Sequence, residues 1–249
     1  MEYFIQNIDF NQNIKRIKID IGLGEYNVNS LYWLCNDNNL LVIGFDPNPK
    51  CIKNALYHTN NMTPLSECMG HAIHTRLDKT NIVEQKNKLN NHFSVIPIAL
   101  NNVAHPTNML LYKMQNDAGT SSLYEPIDKN LGPVSEVVDV PVYSLKHFFD
   151  LFPWDKFEYI EYIKIDAQGA DLNIIKSAGD YLKERVVYIT AEPENKQYKD
   201  IENNVVENFT TYLESQNFIR VYNKNTADPT YINKKFLHLK DNIYIYQFG

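Results

Sequence analysis

Five apolar runs, each closed by a polar and mostly acidic residue, constrain the fold of this chain more than any other feature. They are Arg16–Asp20, Leu40–Asp46, Ser94–Leu100 with Asn101 behind it, Tyr159–Asp166, and Val186–Ala191 with Glu192 behind it. Short runs rich in Ile and Val, bounded by turn residues, read as strands buried on both faces. Between them apolar residues recur at helical spacing. The sets are Leu31, Leu34 and Cys35; Ile52, Ala55 and Leu56; Leu172, Ile175 and Leu182, interrupted near Gly179; and Ile201, Val205, Phe209, Tyr212 and Leu213. Asn27 or Asn29 is a candidate N-cap for the first helix. Strands alternating with helices predict an α/β fold with a mostly parallel sheet and helices on both faces.

Met109–Met114 and Val137–Val142 add two strands within residues 105–142, and Leu145 to Phe152 predict a short helix. Phe218–Tyr222 and Ile243–Phe248 have no helical pattern between them, so an antiparallel pair is expected at the end of the chain. Residues 57–93 are polar and irregular and read as an insertion. Without internal repeats or a linker, one domain over residues 1–249 is expected.

Composition excludes several function classes. A net charge of −6 argues against a general nucleic-acid binder. The chain has no apolar window of membrane-spanning length and no secretory leader, so a cytoplasmic, non-membrane protein is expected. Cys35, Cys51 and Cys68 form neither a zinc pattern nor a disulfide framework, consistent with a reducing compartment. His71 and His74, three apart, lack a framing carboxylate motif and read as structural.

In open α/β sheets ligands bind at the carboxyl ends of the strands. Asp20, Asp46, Asn101, Asp166 and Glu192 are therefore the first site candidates. The turn Ile19-Asp20-Ile21-Gly22-Leu23-Gly24 needs small residues where backbone approaches a ligand closely. Asp46, about twenty residues beyond Gly24, is placed to bind ribose hydroxyls, which points to a nucleoside-containing cofactor. A dinucleotide fits poorly, because Asn27 stands where the third fingerprint glycine belongs and Asp20 would repel a pyrophosphate. S-adenosylmethionine carries no phosphate and is cationic at its sulfonium and ammonium groups. Charge complementarity with Asp20 favours it.

Three blocks give the chain a family resemblance. They are Lys18-Ile19-Asp20-Ile21-Gly22 with Phe45-Asp46-Pro47; Gly119-Thr120-Ser121-Ser122-Leu123; and Val142-Tyr143-Ser144-Leu145 followed by Lys164-Ile165-Asp166-Ala167-Gln168-Gly169-Ala170-Asp171. Over residues 16–195 the chain resembles FkbM-type methyltransferases, a class I S-adenosylmethionine-dependent family acting mainly by O-methylation. The resemblance implies a Rossmann-like sheet of seven strands, mostly parallel with an antiparallel C-terminal strand. It also implies a small-molecule acceptor, with a sugar, nucleotide sugar or glycan leading. Two departures stand out: Gly22-Leu23-Gly24-Glu25-Tyr26 replaces the family's usual glycine turn, and Gln168 replaces its usual Glu.

The expected cofactor-binding residues are Asp20, Gly22, Gly24, Tyr26, Asp46, Pro47, Asn101 and Asp166. Asp166 is also the expected catalytic group, as base or as holder of the donor's ammonium. Ser121, Ser122 and Glu192 are the acceptor-side candidates. Glu192, Glu194 and Asn195 could join Asp166 around Mg²⁺, but a solvated acidic loop is the simpler reading and no metal is expected. A planar amine acceptor is disfavoured, since Asp166-Ala167-Gln168-Gly169 lacks a Pro-Pro-aromatic clamp. The rival reading is a non-catalytic protein that keeps the fold and binds the cofactor or a partner. A nicotinamide dehydrogenase is a poorer third.

Overall fold

The computed structural model describes residues 1–10, 12–26, 28–61, 91–221 and 228–243. The strands are Arg16–Ile21 (β1), Leu40–Phe45 (β2), His92–Ile96 (β3), Ala99–Leu100 (β4), Thr107–Met114 (β5), Val134–Tyr143 (β6), Ile160–Ile165 (β7), Val186–Ala191 (β8), Phe218–Val221 (β9) and Thr230–Asn233 (β10). The α-helices are Glu2–Gln6 (α1), Val28–Asn36 (α2), Pro49–Asn61 (α3), Leu145–Phe149 (α4), Asp171–Lys176 (α5), Tyr181–Arg185 (α6) and Val206–Ser215 (α7).

Seven strands form one sheet in the order β3-β2-β1-β7-β8-β10-β9, and β4-β6-β5 form a second, smaller one. Pairing is parallel from β3 through β8, while β10 runs antiparallel to both β8 and β9. This is the Rossmann-like, mostly parallel sheet expected. Alternation along the strands splits the core into two layers. Ile17, Ile19, Ile21, Ile43 and Phe45 pack with Phe148 of α4, Ile174 of α5 and Phe209 of α7. On the opposite face Val42 and Tyr162 pack with Trp33 and Leu34 of α2.

The buried strand β1 also carries charge into the α2 layer. Lys18 is fully buried, paired with Asp37 and 5.5 Å from the centre of the Trp33 ring. Arg16 at the strand's start contacts Asp37 and Glu161, each at 2.7 Å. Burying a charge is tolerated only when it is paired in this way.

Several boundaries differ from the sequence reading. The expected third strand divides at Pro97: β3 stays in the main sheet, whereas β4 joins the small one. Proline cannot donate to a ladder, which explains the break. Helix α3 continues to Asn61, so the first residues of the stretch read as irregular are helical. Helix α7 begins at Val206 with Val205 as its N-cap, which leaves Ile201 outside the helix although it shares the apolar period. The antiparallel partner of β9 is Thr230–Asn233, a segment too short to show a strand period. Residues 244–248 of the expected last strand lie outside the described residues. So do Asn27, Cys68, His71, His74 and residues 62–90 of the expected insertion; Asn29 lies inside α2.

Candidate functional site

The order of the main sheet reverses at β1, which has β2 on one side and β7 on the other. At that switch point, beyond the carboxyl ends of the strands, lies a cleft with about 500 Å³ of empty space, its open mouth included. Phe45, Ile98, Leu100, Leu111 and Leu123 give it apolar walls, and Asp46, Asn48, Ser121, Asp166 and Gln168 are its main polar groups. No lysine or arginine lines it among the described residues.

Gly22 closes the floor. Its φ of +78° is costly for a residue with a Cβ, and a Cβ there would fall 1.8 Å from the Asp166 carbonyl oxygen. The Gly22 N–H donates to Phe45 O, and the Asp166 N–H donates to Ile21 O, so β1, β2 and β7 remain laced together past their ends. Gly24 also lies in the left-handed region, at +64°.

A repeated Ile-Lys-Ile-Asp-like pattern supplies the electrostatics. β1 carries Lys18-Ile19-Asp20 and β7 carries Lys164-Ile165-Asp166, but the register pairs Asp20 with Lys164. The Lys164 ammonium thus lies between two carboxylates, 3.7 Å from Asp20 Oδ1 and 3.2 Å from Asp166 Oδ2, and it donates to Gly22 O at 3.0 Å. Asp20 is 1% exposed, accepts a 2.5 Å hydrogen bond from Ser30 Oγ, and does not line the cleft. Burial raises its pKa against the pull of Lys164. The side chain of Asp166 is 36% exposed and does line the cleft. Burial raises its pKa, but Lys164, then hydrogen bonds from Glu192 and Gln168, outweigh that and hold the carboxyl below its usual range. Glu192 is the complement: burial and the Asp166 charge push it up, so the proton of the pair rests there.

Asp46 is buried at the end of β2. Its Oδ2 accepts the Leu23 N–H at 3.0 Å and its Oδ1 accepts the Asn48 N–H at 2.8 Å. Burial pushes its pKa up to about 7, with those N–H groups opposing. The Gly24 N–H is a third backbone donor to the carboxylate, which leaves one acceptor position for a further donor.

The loop that contains Gly119-Thr120-Ser121-Ser122-Leu123 covers the cleft and is tied down by polar contacts. Asn48 Nδ2 donates to Ala118 O at 3.3 Å and to Ser121 Oγ at 3.2 Å. Glu25, paired with Lys50, accepts the Ala118 N–H at 3.3 Å. The departure of this turn from the family's glycine pattern therefore has a counterpart in the loop. Ser122 faces away from solvent, donating to Gln168 O at 2.7 Å and accepting from the Tyr124 N–H at 3.0 Å.

The fold thus brings Gly22, Asp46, Pro47, Ser121 and Asp166 to one cleft. Asp20 stands behind it, and Glu192 reaches it through Asp166. Gly24 and Ser122 adjoin the cleft without lining it, and two further candidates lie elsewhere. Tyr26 is 47% exposed with its ring 6.1 Å from His58, and Asn101 follows β4 and contacts Asn102 N, Tyr124 Oη and Met109 Sδ. Glu192 and Glu194 do not form a solvated loop. Both are half-buried, and burial pushes Glu194 up to about 7. Among the described residues no group of three or more His, Cys, Asp or Glu side chains is arranged to hold a metal ion.

The sequence reading passed over Lys164, Asn48 and Tyr198. Lys164 has a signal, an unexpected charge inside an apolar strand. Tyr198, 2% exposed, has none in the local sequence.

No helix among the described residues is long and apolar enough to cross a membrane. No curated protein matches the chain. Solved structures with a similar course of the chain include a putative rRNA methylase from Clostridium thermocellum, at 11% identity and a TM-score of 0.42, with 88% of each chain covered. Another is a human methyltransferase 10 domain containing protein, at 11% identity and a TM-score of 0.35, covering 92% of this chain and 76% of that one. A third is the N-terminal domain of human METTL16 in complex with SAH, at 11% identity and a TM-score of 0.37, covering 92% of this chain and 65% of that one. The model of the methyltransferase FkbM domain matches residues 12–220. The chain belongs to the FkbM methyltransferase domain family, with S-adenosylmethionine as its methyl donor.

Proposed function

We propose that this protein transfers the donor's methyl group to a hydroxyl of a small molecule, with a sugar, nucleotide sugar or glycan as the leading acceptor. The observation that carries this reading is Asp166: a carboxylate held ionised and opening onto the cleft beside the Gly22 turn. An alcohol must lose its proton as it is methylated, and a positioned base contributes about 10²–10⁴-fold. S-adenosylmethionine supplies an electrophilic methyl on a cationic sulfur.

The residues fit that donor. Asp46 offers an acceptor position for a ribose hydroxyl, with Pro47 and the apolar wall beside the base. Gly22 lets the turn pack against the Asp166 backbone at the methionine end. A cleft with acids and no lysine or arginine on its lining suits a cation and not a pyrophosphate. Lys164 is shared by Asp20 and Asp166; the acids that face the ligand are Asp46 and Asp166, and Asp20 acts through Lys164. Ser121 faces the acceptor side, while Ser122 holds the loop. Aligning the nucleophile with the methyl carbon supplies about 7–11 kcal/mol of barrier reduction.

The test is to incubate the protein with donor and a panel of nucleotide sugars and free glycans and to measure S-adenosylhomocysteine release. Turnover with at least one hydroxyl acceptor is expected, and Asp166→Asn should lower it by at least about 100-fold. A near-wild-type rate for Asp166→Asn overturns the base assignment. Donor binding without turnover on any acceptor favours the non-catalytic reading, which the replacement of the family's Glu by Gln168 recommends as the rival.

A further inference from the structure

Gln168 occupies a position that its own backbone disfavours. Its φ is +51°, and Gly169 follows at +95°, so two successive left-handed residues fold the chain back beneath Asp166. Such a conformation in a residue with a side chain is strained and persists only when surrounding contacts fix it. Here three contacts do so. Gln168 Nε2 donates to Asp166 Oδ1 at 2.7 Å, its Oε1 accepts from Tyr198 Oη at 2.8 Å, and its backbone oxygen accepts from Ser122 Oγ at 2.7 Å.

The direction of the amide follows from chemistry. An ionised carboxylate can only accept, so Nε2 must face Asp166, and Oε1 must then face a donor. Tyr198 is that donor. Its single proton is shared between Gln168 Oε1 and Thr120 O, also 2.8 Å away in the loop over the cleft, and the residue is anchored by a backbone bridge to Pro126. With Lys164 on Oδ2 and Gln168 on Oδ1, both oxygens of Asp166 are fixed.

We infer that Gln168 is a positioning residue: Tyr198 locks its amide so that the N–H end orients the Asp166 carboxylate toward the cleft. The inference rests on the reading of Asp166 as the base, yet its central statement concerns Asp166 alone. The other charged or titratable groups facing Asp166 are Lys164 on β7, Asp20 on β1, Asp171 on α5, Glu192 and Glu194 after β8, and Tyr198. Lys164 donates to Oδ2 and Glu192 adds a hydrogen bond to the carboxylate, while the Gln168 amide meets Oδ1 at 2.7 Å.

The test follows the Asp166 carboxyl carbon by NMR as pH is varied, in donor-free wild type, Gln168→Leu, Gln168→Glu and Tyr198→Phe. Loss of a donor to the charged form should move the Asp166 midpoint upward by about one pH unit in Gln168→Leu. Gln168→Glu, which adds a carboxyl, should move it at least as far, and Tyr198→Phe should move it less in the same direction. On the active enzyme, Gln168→Leu should lower kcat at least about 10-fold while donor KM stays within about 2-fold. Should Gln168→Leu fail to fold, Tyr198→Phe decides, since it preserves volume and leaves the left-handed turn untouched. Midpoints unmoved in the folded variants overturn the inference. Because the midpoint is read without acceptor or turnover, it succeeds or fails separately from the proposal that a hydroxyl is methylated.

Discussion

Replacing Lys164 by methionine should destabilise the fold by several kcal/mol, and the structure indicates both the size and the pH dependence of the loss. Lys164 and Asp20 are almost fully buried and 3.7 Å apart. At an effective dielectric constant of about 20, opposite charges at that distance attract by about 4 kcal/mol. Removing one partner of a buried pair costs about 3–5 kcal/mol, because the other charge is left uncompensated. The two estimates agree on about 4 kcal/mol. In the variant Asp20 can escape the penalty only by taking up a proton. Its folded-state pKa, already raised by burial, then rises further above the unfolded value. The folded state then holds more protons than the unfolded state, so the variant loses stability as pH rises, by up to about 1.4 kcal/mol per pH unit. Urea denaturation followed by circular dichroism at pH 5 and pH 8 measures this directly. The loss should be smaller at pH 5, and adding Asp20→Asn to Lys164→Met should recover more than half of it at pH 8. A loss below about 1 kcal/mol at pH 8, or a double variant no more stable than the single one, would show that the buried charges do not depend on one another.

Other consequences are sharper at single positions. Gly22→Ala places a Cβ 1.8 Å from backbone, whereas Gly24→Ala, also at positive φ, meets nothing within 4 Å. Thermal denaturation should therefore show Gly22→Ala losing more than about 3 kcal/mol and Gly24→Ala about 1 kcal/mol; equal losses would contradict the close approach of β1 and β7. The pKa of Asp171 is pushed up to about 8, and those of Asp46 and Glu194 to about 7, in each case chiefly by burial. All three exceed their unfolded values of about 4, so the folded state is the more protonated in between and stability falls as pH rises from about 5 to about 8. The melting temperature should be higher at pH 5 than at pH 8, and Asp171→Asn should flatten the difference; a melting temperature that rises over this window would contradict the burial argument.

Much of this architecture was legible in the residues because strand burial writes itself as uninterrupted apolar runs. Val186–Ala191 was read with the observed ends, and the gap near Gly179 separates α5 from α6. What escaped depends on partners far along the chain. Asp20 looked like a ligand-facing acid, since strand position alone does not reveal that register sets Lys164 beside it. Asn101 was counted with the main sheet because Pro97 was read through as part of a continuous run. Tyr198 reaches Gln168 across thirty residues through a loop without periodicity, and no local pattern announces such a contact. Asp46 and Asp166 reach one cleft because strand ends at the reversal of sheet order converge by topology, whatever the loops do.

The methyl donor should occupy the cleft with its ribose against Asp46. Titration calorimetry with S-adenosylhomocysteine, on wild type and on Asp46→Ala with melting temperatures recorded alongside, measures this most directly. The wild type should bind one equivalent, and the folded variant should bind at least about 10-fold more weakly through loss of charge-assisted hydrogen bonds. Equal affinity in the folded variant, or no binding by the wild type, would contradict it.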